Sequence, residues 1–323
     1  MVESDLPAAP ASATDREGWL SALSRLADNS GDFLSLGTHH WALFVDESPT
    51  LIVSFETVAE ARARPGQMPL AHAIAAEHGW SHLCILAEGQ TWWRDPAVWR
   101  YFDRLVDDAF FEDFDRVLFT GAGMGAYAAC AYSVAAPGAT VLAFAPCATQ
   151  SPDQAGWDRR HLAARRLDFR SRYGYAPEMV EGVERAFLVL DPCEVMDQMH
   201  AALFRAPWVS RLNMRHAGPR PAEVLADMGV LTGLIEAAAQ GKLTEASFAQ
   251  VWRKRRQHSP YLRHLIAITD ASGHLTRSEA ICRNVLGRQK APRIRRRLQE
   301  IEAQKSSNAP PPDDPASQAG DQD

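Results

Sequence analysis

The sequence predicts an α/β protein with a mostly parallel sheet of seven or eight strands, helices on both faces, and a C-terminal helical extension. Short apolar runs alternate with amphipathic stretches over residues 40–240, which is the pattern of strands and their covering helices. The apolar run 117–119 leads into glycines at alternate positions, Gly121, Gly123 and Gly125, and then directly into an Ala-rich helix. Towards the C-terminus only helical patterns remain. These observations favour a layered sheet centred on this strand–turn–helix.

Seven strands are expected from the apolar runs. They cover residues 41–47, 50–56, 81–87, 116–120, 140–145, 186–191 and 208–214. The first two are joined at Ser48-Pro49, and we expect them to form an antiparallel pair. Helices are expected after a capping box at Thr14-x-x-Glu17, over 69–78, from Asp95-Pro96, over 221–239, and after a second capping box at Thr276-x-x-Glu279.

Charge and composition divide the chain into four parts. Residues 1–30 contain an Ala/Pro-rich segment, expected to be disordered, and a first helix, and residues 31–240 form the α/β domain. Residues 241–303 form a basic helical extension, and residues 304–323 form an acidic, Pro-rich tail that we expect to be disordered. The net charge of −6 hides this division, because residues 251–297 carry thirteen Lys and Arg against two acidic residues.

The cysteines give no sign of a disulfide or metal framework. All five are scattered, without a Cys-x-x-Cys pair, and most lie in apolar runs, where a thiol behaves as a small hydrophobic group. This pattern argues for a reducing compartment and against a metal site. The N-terminal residues do not resemble a secretory signal, and no apolar run approaches the ~20 residues of a membrane span. We therefore expect a cytoplasmic protein with no metal, no cofactor and no membrane contact.

The central strand–turn–helix has the form of a nucleophile elbow, in which small flanking residues let the chain turn sharply. The segment Gly121-Ala-Gly-Met-Gly-Ala-Tyr-Ala-Ala129 is similar to the Gly-Ser-Ser-Met-Gly-Gly-Tyr-Ala-Ala elbow of the α/β-hydrolase family. This resemblance covers residues 40–238 and implies an eight-stranded sheet with one strand before those recognised here. The nucleophile position is Gly123, so the motif lacks its serine.

The resemblance also implies positions for other site residues. The family order of Ser, then Asp or Glu, then His places the acid at Asp191 and the base at His216. An oxyanion hole would use the backbone N–H of Met124 and an N–H just after the strand that ends at Glu56, next to Thr57. Both titratable residues also have a structural interpretation, since Asp before Pro often forms a turn and an isolated His is often a surface or core residue.

Covalent acyl-enzyme chemistry at position 123 is excluded, because glycine offers no nucleophile. In a serine protease, loss of the nucleophile lowers turnover by about 10⁶-fold. We therefore predict a non-catalytic binding protein, a pseudo-enzyme whose turn from Gly121 to Gly125 takes a small-molecule ligand or a partner. Trp92 and Trp93 would lie near the carboxyl ends of the strands and could line its pocket, although Trp pairs are more often core residues.

One alternative keeps an enzyme. His216, oriented by Asp191, would act as a general base that activates water against an ester or a thioester. Cys130 and Ser133 lie too far into the helix to replace the missing nucleophile.

A second alternative is dinucleotide binding, because Gly121-x-Gly123-x-x-Ala126 fits the Gly-x-Gly-x-x-Gly/Ala fingerprint. Several strands precede this turn, however, and the next strand ends without an Asp or Glu that could bind a ribose hydroxyl. Adenylyl-sulfate reduction is disfavoured because the chain lacks both the Ser-Gly-Gly-x-Asp-Ser loop and a C-terminal cysteine nucleophile.

Two basic runs in the extension, Arg253-Lys-Arg-Arg256 and Arg293-x-Arg-Arg-Arg297, are candidate contacts for an acidic protein partner, a phosphate-rich ligand or RNA. The structural alternative is a solvated helix face above a buried stripe of Ile294, Leu298 and Ile301. Nucleic acid is disfavoured because exposed aromatic residues do not alternate with these cations.

Overall fold

The computed structural model describes residues 15–28 and 31–307. The chain divides into two compact units, residues 1–254 and 255–323. The disorder predicted for residues 1–13 lies outside the described residues, as does most of the predicted tail. Residues 304–307 belong to the last helix.

The first unit contains an eight-stranded sheet, which confirms the predicted fold class. Its strands are β1 (Gly31–Ser35), β2 (His40–Val45), β3 (Thr50–Thr57), β4 (Ser81–Ala87), β5 (Arg116–Ala122), β6 (Thr140–Phe144), β7 (Arg185–Leu190) and β8 (Val209–Asn213). The strands lie in the order β1-β2-β4-β3-β5-β6-β7-β8. Strands β3 to β8 run parallel, whereas β2 is antiparallel to both β1 and β4. The elbow therefore follows the fifth of eight strands, as the α/β-hydrolase resemblance implies.

The predicted hairpin of the first two recognised strands is wrong. β2 pairs with β4 in the register Leu43↔Cys84, and β3 lies on the other side of β4 in the register Val53↔Leu83. β4 can lie between them because it is buried along its whole length and has a neighbour on each edge. The unrecognised strand is β1, whose polar and exposed pattern gives little hydrophobic signal.

The helices cover both faces of the sheet and continue into the second unit. They are α1 (Arg16–Ala27), α2 (Val58–Ala63), α3 (Leu70–His78), α4 (Pro96–Asp107), α5 (Met124–Tyr132), α6 (Pro152–Ala155), α7 (Ala176–Met179), α8 (Val195–Leu203), α9 (Pro221–Asp227), α10 (Leu231–Ala239), α11 (Glu245–Trp252), α12 (Ser259–Ala271), α13 (Leu275–Leu286) and α14 (Pro292–Ser307). Short 3₁₀ helices cover Pro65–Gln67, Phe110–Asp113, Ser133–Ala135, Leu162–Arg166 and Arg253–Gln257.

Alternation along the strands supplies a core on each face. In β4, Leu83 and Ile85 belong to the larger apolar cluster, which includes the buried side chains of α4 and α5. Cys84 and Leu86 point the other way and join a second cluster with Trp19 of α1. Because successive strand residues face opposite sides of a sheet, this alternation is what a sheet buried on both faces requires.

Three local predictions about helices need correction. The long helix expected over 221–239 is two helices, because Gly229 adopts φ +65° between α9 and α10. The cap of α1 is Asp15, whose carboxylate accepts from the N–H of Gly18, whereas Thr14 lies outside the described residues. Thr276 lies inside α13, so the second capping box is wrong, and Glu279 forms ion pairs instead.

The second unit is helical in its described part and comprises α12, α13 and α14. Ile294 and Ile301 are buried and Leu298 is half-buried, which confirms the predicted stripe. Arg297 bonds Asp270 at 2.9 Å and Glu300 at 3.1 Å, and so ties α14 to α12. Within residues 15–28 and 31–307, no helix is both long and apolar enough to cross a membrane.

Candidate functional site: a cleft above the elbow

The turn from β5 to α5 has three glycines with different physical roles. A Cβ atom at Gly121 would collide with the backbone of Gly125, and one at Gly125 would collide with the carbonyl of Phe55. Gly123 is different, because a Cβ atom there would meet nothing within 4 Å. Two glycines are therefore required by close packing, whereas the third occupies open space at the nucleophile position.

Gly123 nevertheless holds a demanding conformation, with φ +56° and ψ −116°. Its N–H donates to the carbonyl of Phe144 at 2.9 Å, which fixes the turn against the end of β6. Met124 is the first residue of α5, so the first N–H groups of that helix have no intrahelical acceptor. These contacts hold the sharp turn between β5 and α5 at Gly123.

An open cleft of about 700 Å³ lies above this turn. Its walls combine apolar side chains with charged groups. They include Thr57, Ala59, Glu60, Gly89, Gln90, Trp92, Ala122, Gly123, Met124, Phe144, Ala145, Cys147, Arg160, His161, Asp197, Pro219, Arg220, Pro221, Ala222 and Glu223. A cleft of this size is typical of small-molecule sites.

Positive φ angles converge on the cleft. Besides Gly123, the lining residues Trp92 and Ala145 have φ +54° and +51°. A residue with a side chain pays a free-energy penalty of about 1–3 kcal/mol for such backbone when the surroundings impose it. The imposition is visible here, because Ala145 N–H bonds the Val189 carbonyl at 2.8 Å and the Trp93 carbonyl accepts from the Tyr132 hydroxyl at 2.6 Å.

Trp92 forms an aromatic wall of the cleft. Its ring lies 5.1 Å from that of His161 and 5.7 Å from that of Tyr127, both edge-on. The side chain is 1% exposed, and its Nε1–H has no hydrogen-bond acceptor among the described residues. The expectation that this tryptophan lines a pocket is correct, whereas Trp93 is a core residue that donates to the Ile85 carbonyl.

A network of charged and polar side chains reaches the cleft through Arg160 and Asp197, and its other members, Asp158 and His200, are buried. Arg160 bonds both carboxylate oxygens of Asp158 and also reaches Asp197 at 2.6 Å. His200 lies 2.9 Å from Asp158 through Nε2 and accepts the Ala148 N–H at Nδ1, so the neutral ring carries its proton on Nε2. Burial lowers the pKa of His200 even though Asp158 opposes the shift. Burial would raise the pKa of Asp158, but its hydrogen bonds to Arg160 and His200 outweigh burial and hold the pKa below its usual range.

Cys147, Asp158 and His200 place potential metal ligands within 4.8 Å of one another. Their chemistry does not fit a metal in this arrangement. Both nitrogens of His200 are engaged in hydrogen bonds, Arg160 covers the carboxylate, and burial raises the pKa of the Cys147 thiol to about 12. A thiol of this kind is also a poor nucleophile, because the thiolate is the reactive form.

Asp191 follows β7 and is buried, as the resemblance implies, but its carboxylate binds backbone. It accepts from the N–H of Cys193 at 2.9 Å, from His216 at 3.0 Å, and from Gly218 at 2.8 Å. The bond to His216 therefore involves the backbone of that residue. Asp191 holds the loop after β8 in place, which matches the turn-forming role that Asp before Pro often has.

His216 is half-buried with φ +64°. Nδ1 lies 3.5 Å from Cys193 Sγ, and Nε2 lies 3.3 Å from Nε of Arg215. Among the described residues, the lining of the cleft includes Pro219 and Arg220 from this loop, but neither Asp191 nor His216. The structure thus brings Gly121, Gly123, Met124 and Gly125 together at the elbow and leaves the predicted acid and base outside the lining.

The predicted oxyanion position is also altered. Thr57 lines the cleft, but its N–H donates to Glu60 Oε2 at 2.9 Å in a capping box. Glu56 faces away, pairs with Arg64 and accepts the Leu70 N–H at 2.8 Å. Burial raises the pKa of Glu56, opposed by Arg64. The carboxylate of Glu60 in the cleft is unfavourable for an oxyanion beside Thr57.

Sequence reasoning missed the network of Asp158, Arg160, Asp197 and His200. All four residues come from regions without a motif, two in a polar insertion and two on α8. The only signal in the sequence was that Asp158 and Arg160 lie two residues apart and can form an ion pair that allows the charge to be buried.

Comparisons with known proteins give fold-level likeness only. No protein-family profile and no curated protein matches the sequence. Among solved structures, a glycosylation-associated protein complex from Streptococcus agalactiae aligns at 13% identity and TM-score 0.40, covering 62% of this chain and 44% of its own. This chain thus spans less than half the length of that relative.

Two other structures align over more of their own length. Alpha/beta hydrolase domain-containing protein 10 from mouse shares 12% identity at TM-score 0.40, covering 65% of this chain and 98% of its own. A carboxyl esterase from the fungus Tuber melanosporum shares 14% identity at TM-score 0.40, covering 64% of this chain and 84% of its own. Description of the fold as α/β-hydrolase-like accordingly depends on the eight-stranded sheet and on the elbow after its fifth strand.

Proposed function

We propose that this protein binds a small-molecule ligand in the cleft above Gly123 and forms no covalent intermediate there. The observation that carries the proposal is the elbow itself. Gly123 keeps φ +56° and ψ −116° with open space around its Cα, so the backbone is held in shape while the reactive group is absent.

The cleft supports binding in a second way. Trp92 and Ala145 hold positive φ angles at its wall, where their hydrogen-bonded neighbours impose the conformation. Strained backbone of this kind clusters at ligand and catalytic sites, because surrounding structure must hold it. Trp92 lies in the wall of the cleft with a buried Nε1–H that has no acceptor among the described residues.

The acid and base positions argue against hydrolysis by water activation. A general base must reach the reacting water at about 2.6–3.2 Å and be oriented by its acid. Asp191 directs three hydrogen bonds at backbone N–H groups, including that of His216, and both residues lie outside the described lining of the cleft. Binding without turnover is the function that remains compatible with these contacts.

A hydrolysis assay tests the absence of chemistry. Purified protein is assayed against p-nitrophenyl esters and acyl thioesters of several chain lengths, beside the His216→Asn and Gly123→Ser variants. We expect no turnover above buffer for the natural sequence or for His216→Asn. We expect none for Gly123→Ser either, because the introduced hydroxyl would still lack an aligned base. Turnover by the natural sequence that His216→Asn abolishes would overturn the proposal.

A binding assay tests the cleft directly. A library of small carboxylic acids, esters and dinucleotides is screened by thermal shift, and ligand at 100 times Kd should stabilise by about 2.7 kcal/mol. Ala59→Trp fills the cleft from the exposed side of α2, whereas Ala63→Trp adds the same side chain on the same helix away from the lining. Stabilisation should be lost in Ala59→Trp and kept in Ala63→Trp. Equal loss in both variants, or stabilisation by no compound, would contradict the proposal.

A further inference from the structure

The second unit contains a small pocket of about 290 Å³ lined by cations. Arg263 comes from α12, Lys290 from the loop before α14, and Arg293 from the first turn of α14. Ser259 and Ile294 complete the pocket wall with Ala291 and Pro292, so no acidic residue lines it.

The charge balance of this unit leaves these three cations without acidic partners. Residues 255–307 contain twelve Lys and Arg but only four Asp and Glu. Each of the four acids is already in an ion pair: Asp270 with Arg297, Glu279 with Arg283 and Lys305, Glu300 with Arg296 and Arg297, and Glu302 with Arg283. Among the described residues, Arg263, Lys290 and Arg293 have no acidic side chain within ion-pair distance.

Gathering three like charges around one cavity is unfavourable unless an anion neutralises them. At about 4 Å, two unit charges near a protein surface interact by about 4 kcal/mol at an effective dielectric of 20. Surface cations can avoid this by turning into water, and Arg277 and Arg295 of the same unit are exposed outside the pocket. Arg263, Lys290 and Arg293 are exposed as well, but all three line one pocket.

The backbone adds to the same positive potential. The pocket lies where two helices begin, since Ser259 starts α12 and Pro292 starts α14. α12 has no side-chain cap, and its first helical hydrogen bond is formed by Leu262 to His258. In α14 the first is formed by Arg295 to Ala291. The N–H groups before these bonds have no intrahelical acceptor, and helix N-termini carry partial positive charge.

We propose that this pocket binds a phosphate group. Guanidinium groups bind phosphate oxygens through paired N–H donors, and a lysine adds a compact charge. Three cations fit a tetrahedral dianion with several acceptor oxygens better than a carboxylate, which one guanidinium satisfies. The inference concerns the second unit alone and does not depend on the function of the cleft.

Isothermal titration of the full chain with inorganic phosphate tests this site, at an ionic strength held constant with KCl because screening weakens exposed charges. The variants are Arg263→Gln and Arg293→Gln, with Lys290→Gln as a third in case one of them fails to fold. The matched controls are Arg277→Gln and Arg295→Gln, which remove the same charge from neighbouring helices outside the pocket. We expect the pocket variants to weaken binding by at least about tenfold and the controls to change it by less than about twofold.

Two further titrants identify the source of the phosphate group. If the pocket accepts a phosphomonoester, glycerol 2-phosphate should bind and the variants should weaken it in the same pattern. If inorganic phosphate binds and glycerol 2-phosphate does not, the site is restricted to the free ion. Both outcomes support the proposal. Absence of saturable phosphate binding would overturn it. Equal weakening by control and pocket variants would overturn it as well, as would binding of a short RNA without binding of inorganic phosphate.

Discussion

Two buried aspartates, Asp191 and Asp158, differ in the groups to which they are hydrogen-bonded. Asp191 binds three backbone N–H groups and thereby joins the turn at Cys193 to the loop after β8 at His216 and Gly218. Asp158 binds side chains, Arg160 and His200, and stands behind the wall of the cleft. The first is where a hydrolase motif places its acid, whereas the second has no motif. The order of motif residues along the chain therefore identifies Asp191, which holds a loop, and does not identify Asp158, whose network borders the cleft.

The two aspartates differ in the groups that stabilise their negative charge. Three backbone N–H dipoles satisfy Asp191, so its loss would loosen the turn at Cys193 and the loop after β8. Asp158 is satisfied by the side chains of Arg160, two residues on, and His200, 42 residues away, so its loss would remove one partner from each of them. Three substitutions or conditions separate these roles.

The largest effect is expected for Asp158→Ala. Asp158 and His200 have no exposed side-chain surface, and removal of the carboxylate leaves the Nε2–H of His200 without its acceptor and Arg160 with Asp197 as its remaining carboxylate partner. Breaking a buried pair by removing one partner costs about 3–5 kcal/mol. Urea unfolding followed by circular dichroism should show a loss of this size in the free energy of unfolding.

The matched control is Asp153→Ala, which removes an exposed aspartate that pairs with Arg170. Exposed pairs contribute about 0–1 kcal/mol, so the two variants should differ clearly. A loss for Asp158→Ala no larger than that of the control would show that the network is not needed for stability. The comparison between the two aspartates would then fail.

An intermediate effect is expected for Asp191→Asn. The amide keeps one acceptor oxygen and replaces the other with a donor, so at least one of the three backbone N–H groups loses its partner. An unsatisfied buried donor costs about 1–3 kcal/mol. His216→Asn should cost less than about 1 kcal/mol, because asparagine tolerates φ +64° and keeps the N–H that Asp191 accepts. Equal losses measured by urea unfolding would indicate that the His216 side chain matters as much as the carboxylate.

Most of the sheet was predictable from the sequence, because six strands carry apolar runs and β8 shows apolar–polar alternation. β1 was not, since its pattern GDFLS is largely exposed and polar. The pairing partners of β2 and β3 were also missed. Neighbours in sequence are usually neighbours in space, and nothing within the two segments reveals that β4 inserts between them.

The candidate site was predictable only where local geometry determines it. The elbow at Gly123 follows from its glycine spacing, and the structure keeps its conformation. The direction of a carboxylate does not follow from spacing, so the sequence could not show that Asp191 faces backbone N–H groups. The network around Asp158 depends on contacts such as Asp158 to His200, which are 42 residues apart and unmarked by any motif.

The smallest effect is expected from pH, and it concerns His200. Burial lowers its pKa in the folded protein, whereas the unfolded chain has a histidine pKa of about 6.5. Below pH 6.5 the unfolded chain therefore takes up a proton that the folded protein does not, so the free energy of unfolding falls as pH falls. Asp158 stays ionised in this window, because its pKa is held below the usual carboxylate range.

Comparison with His200→Gln isolates this group from the other buried histidines. Each group of this kind contributes a slope of at most about 1.4 kcal/mol per pH unit. Urea unfolding between pH 7 and 5 should give a shallower pH dependence for His200→Gln than for the natural sequence. An unchanged slope in His200→Gln would mean that the ring is protonated in the folded protein, and Asp158 would then hold an ion pair on both sides.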